Sequence, residues 1–411
     1  MKAIEFKNVS FSYEGCEAKV LKDVSFSVEF GEVALLSGFS GEGKSTVLSL
    51  IAGIIPNVTS GDASGAVLIS GENIIGQRMS SICRKVGVVL QNAEAQIVQQ
   101  IVEDEIAFGC ENFGFSQNKI SESIARSCDQ MKLDPVWKTR TLSGGQKQRL
   151  ITAATLATGQ KILVLDEPLA NLDKQGANIL MNVLRKLAKS GCAVLIVEHR
   201  LDMVLPYADT VWSIRGGRIS KIENKQEYLA SQAELIIDEC SHFSEKESIF
   251  NLYHVGFSVK GREILSDITF DIRKGERVLL LGENGCGKTT LMRLIARLYA
   301  PTKGSIMQNV DKNITQKPTG SRTWFKKVGV VYQDPNYQLF MPTVRQEIAF
   351  GAKSEAYAEE IMDQFGVLHL AERHPQSLSE GQKRRVSIAA AAATEPAVLL
   401  LDEPTVGLDP K

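Results

Sequence analysis

Two glycine-rich octapeptides, each closed by a lysine and a hydroxyl residue, have the make-up of a phosphate cradle: Gly38-Phe39-Ser40-Gly41-Glu42-Gly43-Lys44-Ser45 and Gly282-Glu283-Asn284-Gly285-Cys286-Gly287-Lys288-Thr289. In such a P-loop the glycines leave backbone N–H groups open to phosphate oxygens, the following helix N-terminus adds positive potential, and the lysine supplies a point charge. The candidate nucleotide-binding residues are therefore Gly38, Ser40, Gly41, Gly43, Lys44, Ser45 and Thr46, and Gly282, Asn284, Gly285, Gly287, Lys288, Thr289 and Thr290. Ser45 and Thr289 are the hydroxyls expected to hold Mg2+. Each loop is followed by Leu-Ser-x-Gly-Gln (Leu142 to Gln146, Leu378 to Gln382) and then by an aliphatic run ending in Asp-Glu-Pro (Asp166 to Pro168, Asp402 to Pro404). At the carboxyl edge of a sheet Asp166 and Asp402 can reach Mg2+ directly or through water, while Glu167 and Glu403 can polarise an attacking water.

The elements that must position these groups are legible around them. Strands at 33–37 and 277–281 are expected to enter the P-loops, and helices at 45–52 and 289–296 to leave them. The aliphatic runs 162–165, 193–197 and 398–401 read as parallel strands buried on both faces. The motif sets recur at nearly constant spacing: Gly38 and Gly282 are 244 apart, Gln91 and Gln333 242, Leu142 and Leu378 236, Asp166 and Asp402 236. Two copies of one unit follow. The first is expected at 1–226, opening on an alternating strand from Ile4 to Phe11; the second is expected at 249–411. The polar, acid-rich stretch 227–248 reads as a linker with a short helical piece at 233–237.

At 411 residues, 44% hydrophobic, the chain can bury more than one core. Its 47 Lys and Arg residues against 48 Asp and Glu give a net charge of -1, so no global field draws it to nucleic acid or an anionic membrane. Seven scattered cysteines, none spaced C-x-x-C, argue against a disulfide framework, zinc site or iron–sulfur cluster and fit a reducing cytosol. No run approaches the ~20 apolar residues of a membrane-spanning helix, and the first residues lack a signal-peptide core. A soluble chain is expected, with any transport role arising by docking onto separate membrane subunits.

The order P-loop, Leu-Ser-x-Gly-Gln, Asp-Glu-Pro, found twice, resembles the ATP-binding cassette (ABC) ATPases. The resemblance implies an α/β fold of two tandem P-loop NTPase domains, each a mainly parallel sheet core with an antiparallel β subdomain and a helical subdomain. It implies ATP and Mg2+ as ligands. Gln91 and Gln333, after the strands 86–90 and 328–332, take the place of the glutamine that senses Mg2+ and the attacking water; His199 takes that of the switch histidine; Tyr13 takes that of the aromatic that stacks on adenine. Cassettes of this family pair head-to-tail, so Ser379, Gly381 and Gln382 would complete the first site and Ser143, Gly144, Gly145 and Gln146 the second. Closure on ATP and reopening after hydrolysis would then drive a partner.

Three departures qualify that pattern. Glu380 replaces the first glycine of the second Leu-Ser-x-Gly-Gln; a like charge ~6 Å from phosphate at an effective dielectric of ~20 costs roughly 3 kcal/mol unless the side chain turns outward. An altered rather than dead site is expected. Val259 stands where Tyr13 stands in the first copy, leaving adenine stacking open there. A second switch histidine would fall near position 435, so the second core is expected to lack a strand and helices and the sequence to be incomplete.

Gln333-Asp334-Pro335-Asn336-Tyr337-Gln338-Leu339-Phe340 with Glu347-Ile348-Ala349-Phe350-Gly351, the matching Gln91 to Val98 with Glu105-Ile106-Ala107-Phe108-Gly109, and Ile54-Ile55-Pro56-Asn57 resemble the ATPase subunits of energy-coupling-factor (ECF) transporters, importers of vitamins and metal ions. That resemblance spans essentially the whole chain. It implies a transmembrane transporter subunit docked near Gln96 and Gln338, a separate membrane protein that captures substrate, and residence at the cytoplasmic face of the cell membrane. The alternatives are the tandem ATPase of a sugar importer, or a soluble tandem cassette acting on ribosomes or DNA, which would carry a long charged linker or cysteine module instead.

Overall fold

The computed structural model describes residues 1–16, 18–39, 41–232, 247–282, 285–308 and 327–405. Two compact units meet in sequence between Glu234 and Leu235. The first contributes β1 (Lys2–Tyr13), β2 (Leu21–Glu29), β3 (Val33–Ser37), β4 (Gly61–Ile69), β5 (Glu72–Asn73), β6 (Val86–Val89), β7 (Ile162–Asp166), β8 (Ala193–Val197), β9 (Thr210–Arg215) and β10 (Arg218–Lys221). The alternation in β1 buries Ile4, Phe6, Val9 and Phe11 and places the strand inside an antiparallel sheet of order β2-β1-β4-β5. A second sheet has the order β10-β9-β3-β8-β7-β6, parallel from β9 to β6. Every residue of β3, β7 and β8 is buried, as their continuous aliphatic runs require.

Period-two alternation divides those strands between two cores. Ala34, Leu36, Val164 and Leu195 pack with the antiparallel sheet and with Val47, Leu50 and Ile51 of the helix Lys44–Ile51. Val33, Leu35, Leu163, Leu165, Val194 and Ile196 face the helices Val102–Asn112, Gly144–Ala157 and Lys174–Lys189. The helix Lys225–Gln232 crosses the expected start of the linker at 227. Tyr228 on it is buried, with its hydroxyl 3.2 Å from Ser37 Oγ, so this stretch packs with the first unit. The helical piece expected at 233–237 lies outside the described residues.

In the second unit β11 (Ser248–Val259), β12 (Arg262–Arg273) and β13 (Lys303–Gln308) form an antiparallel sheet of order β12-β11-β13, and β14 (Val328–Val331) pairs in parallel with β15 (Val398–Leu401). Val344–Ala349, Glu355–Gln364 and Glu380–Ala393 build a helical subdomain on Val344, Ile348, Met362 and Val386. The strand expected at 277–281 is not formed: Leu279 and Leu281 are 80% and 79% exposed. The cause is visible in the first unit, where β3 is bonded on both sides, by β8 and β9, and both follow the Asp-Glu-Pro motif in sequence. Among the described residues of the second unit no strand follows β15, so the 277–281 run has no ladder partner. Burial worth ~1.5–3 kcal/mol per large aliphatic side chain is not realised there.

Candidate nucleotide site

β3, β8, β7 and β6 are adjacent and parallel, so their carboxyl ends bring together four segments far apart in sequence. β3 delivers the P-loop. A Cβ on Gly38 would lie 2.5 Å from Ile214 O, so only glycine lets the loop leave the sheet there. Gly43, at φ 104, caps the helix Lys44–Ile51 in the left-handed region that glycine tolerates. Lys44 is buried, and its Nζ donates to Gly38 O and Phe39 O, both at 2.8 Å, so the loop closes around the ammonium. Ser40 and Asn284 lie outside the described residues. In the second unit Lys288 Nζ donates to Gly282 O at 2.7 Å, and Gly287 at φ 103 caps the helix Lys288–Ile295, which carries Thr289 and Thr290.

β7 ends on Asp166, whose carboxylate accepts from the Ser45 hydroxyl. Burial, with Glu167 beside it, pushes the Asp166 carboxyl up to about 7 against the pull of Ser45, Lys44 and His199. A buried carboxylate and a hydroxyl in contact match the hard oxygen ligands Mg2+ takes. Thr289 Oγ1 donates to Asp402 Oδ2 at 2.9 Å, repeating the pair in the second unit.

Glu167 is held at both carboxylate oxygens: Gln91 Nε2 donates to Oε2 at 2.9 Å, and His199 Nε2 lies 3.1 Å from Oε1. Its φ of 45 is strained for a non-glycine residue, and Glu403 repeats it at φ 48. Burial raises the Glu167 pKa, but His199, Lys44 and Gln91 outweigh it and hold the carboxyl below its ordinary value. One carboxylate thus stays ionised beside one that is driven toward neutrality. In the second unit Gln333 Nε2 donates to Glu403 Oε2 at 2.7 Å. Tyr13 reaches the same region: its hydroxyl is 2.9 Å from Thr46 Oγ1 and its ring meets Phe11 edge-on at 4.9 Å. Val259 offers no ring at the matching place.

The remaining candidates form a second group with contacts of its own. Ser143 caps Gly144–Ala157 in a reciprocal box with Gln146, and Ser379 caps Glu380–Ala393 in the same way with Gln382. Gly145 packs so tightly that a Cβ would lie 2.7 Å from Asn171 O; Gly144 faces the same residue, and Gly381 is buried. Glu380 turns to Lys383 one helical turn on, 3.1 Å away. That pairing supplies a cation for the charge set against phosphate in the sequence reading. Gln96 and Gln338 fold back onto Leu90 N and Tyr332 N at 2.8 and 2.9 Å, so both close their own loops.

No motif marks Glu198. It is buried at the end of β8 and accepts from Leu169 N at 2.8 Å, His199 N at 2.8 Å and Arg200 N at 3.1 Å, while Arg200 Nη1 donates to Leu169 O and Leu172 O. The stretch after Glu167 and the His199 turn are thus tied to one carboxylate. An acid closing a fully aliphatic strand was the available signal. Glu198→Ala leaves these donors short of an acceptor and is expected to cost at least ~2 kcal/mol, seen as a lower first-unit melting temperature by calorimetry.

The ABC transporter family matches residues 21–170 and 265–406. A protein of Methanosarcina mazei named as an ABC transporter ATP-binding protein is 33% identical over 99% of this chain and 80% of its own length. The HMP/thiamine import ATP-binding protein YkoD of Bacillus subtilis is 32% identical over 98% of this chain and 81% of its own. The structure of cbiO1 from Clostridium perfringens, part of the ABC transporter complex cbiONQ, matches with a TM-score of 0.50 and 27% identity over 56% of this chain and 91% of that one. With two matched regions, two P-loops and two Asp-Glu pairs, the chain belongs to the ATP-binding subunits of ABC transporters and is an ATPase.

Proposed function

We propose that this ATPase is the motor of an ECF-type importer, working with a transmembrane subunit and a separate membrane protein that captures a vitamin or a metal ion. The observation that carries the proposal is an apolar patch beside the glutamine segment. Tyr337, Phe340 and Phe350 are 82%, 68% and 71% exposed, and Phe340 and Phe350 meet edge-on at 5.7 Å. Glu347, itself buried, fixes that loop by accepting from Phe340 N and Met341 N at 2.9 and 2.7 Å, and Glu105 does the same for Val98 N and Gln99 N. Exposed aromatics four and seven residues after Gln333 on a loop fixed by Glu347, with Phe350 at the end of the helix Val344–Ala349 packed against Phe340, suit the docking of a membrane partner's helix. The likeness to the HMP/thiamine import ATP-binding protein YkoD and to cbiO1 supports the same class. No described helix is long and apolar enough to cross a membrane, so membrane residence would come through the partner.

In this reading Lys44 and Lys288 bind the phosphates, Tyr13 packs on adenine, and Ser45, Asp166 and Gln91, or Thr289, Asp402 and Gln333, hold Mg2+. Bound Mg2+ would neutralise charge developing between the phosphates during transfer. Glu167 and Glu403 accept the proton of the attacking water. His199 orients Glu167 and contacts the terminal phosphate. The serine-capped helix starts at Ser143 and Ser379 each complete the cage of an apposed cassette, so ATP closes the pair and hydrolysis releases it.

The test is expression of the full chain with the neighbouring membrane subunits, followed by purification in detergent. Co-purification is expected for the parent and at least about tenfold less for Phe340→Asp/Phe350→Asp, since burying a charge at such a contact is costly, with ATP binding kept. Association with ribosomes instead, or co-purification indifferent to the two aspartates, overturns the proposal.

A further inference from the structure

The two signature helices hold the glutamine segments in different ways. In the second unit Arg384 is buried; its Nη1 donates to Tyr332 O at 2.7 Å and its Nη2 to Gln333 O. Gln333 Nε2 meanwhile donates to Glu403 Oε2. The backbone of Gln333 is gripped by the signature helix and its side chain by the hydrolytic carboxylate. In the first unit the matching position, 236 residues earlier, is Gln148. It is fully buried, and among the described residues neither its Oε1 nor its Nε2 has a hydrogen-bond partner.

A neighbouring difference points the same way. Lys147 Nζ pairs with Glu94 Oε1 at 2.7 Å, reaching from the signature helix to the segment after Gln91. At the matching positions Lys383 Nζ meets Asn336 Oδ1 and Glu380 Oε1, both at 3.1 Å. The carboxylate has moved off the glutamine segment and onto the signature helix. The first unit is left with an ion pair whose acid is largely exposed, weak and open to screening by salt. The second has a buried, charge-assisted fork, which is the stronger and more directional contact. Burial lowers the Arg384 pKa despite the opposing pull of Glu380, Asp334, Glu403 and Asp402.

We infer that Arg384 is a positioning residue for ATP hydrolysis in the second cassette, holding Gln333 against Glu403 through its backbone, and that Gln148 leaves Gln91 in the first cassette without that hold. The two ATP sites are therefore coupled unequally to the segments that face the membrane partner: tightly in the second unit, by a salt-sensitive pair in the first. The inference rests on the proposed role of Gln333 at Mg2+ and water.

Hydrogen–deuterium exchange of the nucleotide-free full chain tests the clamp directly. Peptides over 332–338 are expected to exchange about tenfold more slowly than those over 90–96, and Arg384→Gln to remove that difference. The hydrolytic role is read in a Glu167→Gln background, where turnover reports the second site. Arg384→Gln is expected to lower kcat roughly tenfold with KM for ATP changed less than about twofold; Arg384→Lys is expected to recover part of the loss, and Arg384→Gln to add nothing once Gln333→Ala is present. Glutamine already occupies this position in the first unit, and Arg384→Lys keeps the charge if the glutamine variant folds poorly. An unchanged kcat in Gln333→Ala overturns the role of Gln333 and this inference with it. A lowered kcat in Gln333→Ala beside unchanged exchange and kcat in Arg384→Gln overturns the inference alone, as do additive losses in the double variant.

Discussion

Glu167→Gln combined with Glu403→Gln is expected to lower ATP turnover by at least about a hundredfold, the contribution typical of a positioned general base, while ATP affinity stays within about threefold of the parent. The substitution removes a charge and little else. A glutamine at 167 can still accept from Gln91 and still meet His199, so the two contacts that fix the side chain survive. The left-handed backbone at both glutamates is unaffected by an isosteric change. What disappears is the ionised oxygen that His199, Lys44 and Gln91 keep below the ordinary carboxylate pKa, beside an Asp166 driven up by burial. The measurement is single-turnover hydrolysis alongside equilibrium binding of ATP. Hydrolysis retained within tenfold would place the base elsewhere, with His199 the next group to test.

The candidate site residues were legible because their positions are local: a P-loop is eight consecutive residues, and Asp166 ends, with Glu167 just after it, a strand whose five residues are all buried. Convergence of Gln91, Glu167 and His199 required the order β8-β7-β6, which comes from strand pairing rather than from any one segment. The run 277–281 shows the limit of local reasoning. Its residues are as aliphatic as those of β3, yet a central parallel strand exists only between neighbours, and in the second unit none is described. The same dependence explains Leu399 and Leu401 in β15, each 36% exposed where the matching residues of β7 are buried.

Glu380 illustrates a different limit. Read alone, it is a misplaced charge at a phosphate site. Its meaning comes from Asn336, which replaces Glu94, and from Lys383, which takes the carboxylate of its own helix in place of one on the glutamine segment. Arg384 and Gln148 behave likewise: both fit a polar helix face by sequence, and only burial against the glutamine segment separates a gripping guanidinium from an unpartnered amide. Such paired exchanges between repeats are invisible to motif reading, because each position remains acceptable on its own.

Lys44→Ala is expected to weaken ATP binding at the first site by about a hundredfold or more, since loss of charge-assisted contacts worth ~3 kcal/mol corresponds to that factor. The buried ammonium has a second duty without nucleotide, because Gly38 O and Phe39 O both accept from it and so define the loop's inner wall. Lys44→Ala removes the cation and the template together. Lys44→Arg is expected to restore charge and still fail to restore binding, as a planar guanidinium cannot enter the space that the loop carbonyls leave for an ammonium. Calorimetric titration of MgATP into the Glu167→Gln/Glu403→Gln chain provides an internal reference: stoichiometry should fall from two to one with Lys44→Ala, and the surviving site should be lost with Lys288→Ala. Two sites of unchanged affinity after Lys44→Ala would remove the first loop from the nucleotide site. One site already in the parent would mean that a single cassette carries the binding, and the Lys44 and Lys288 variants would then say which.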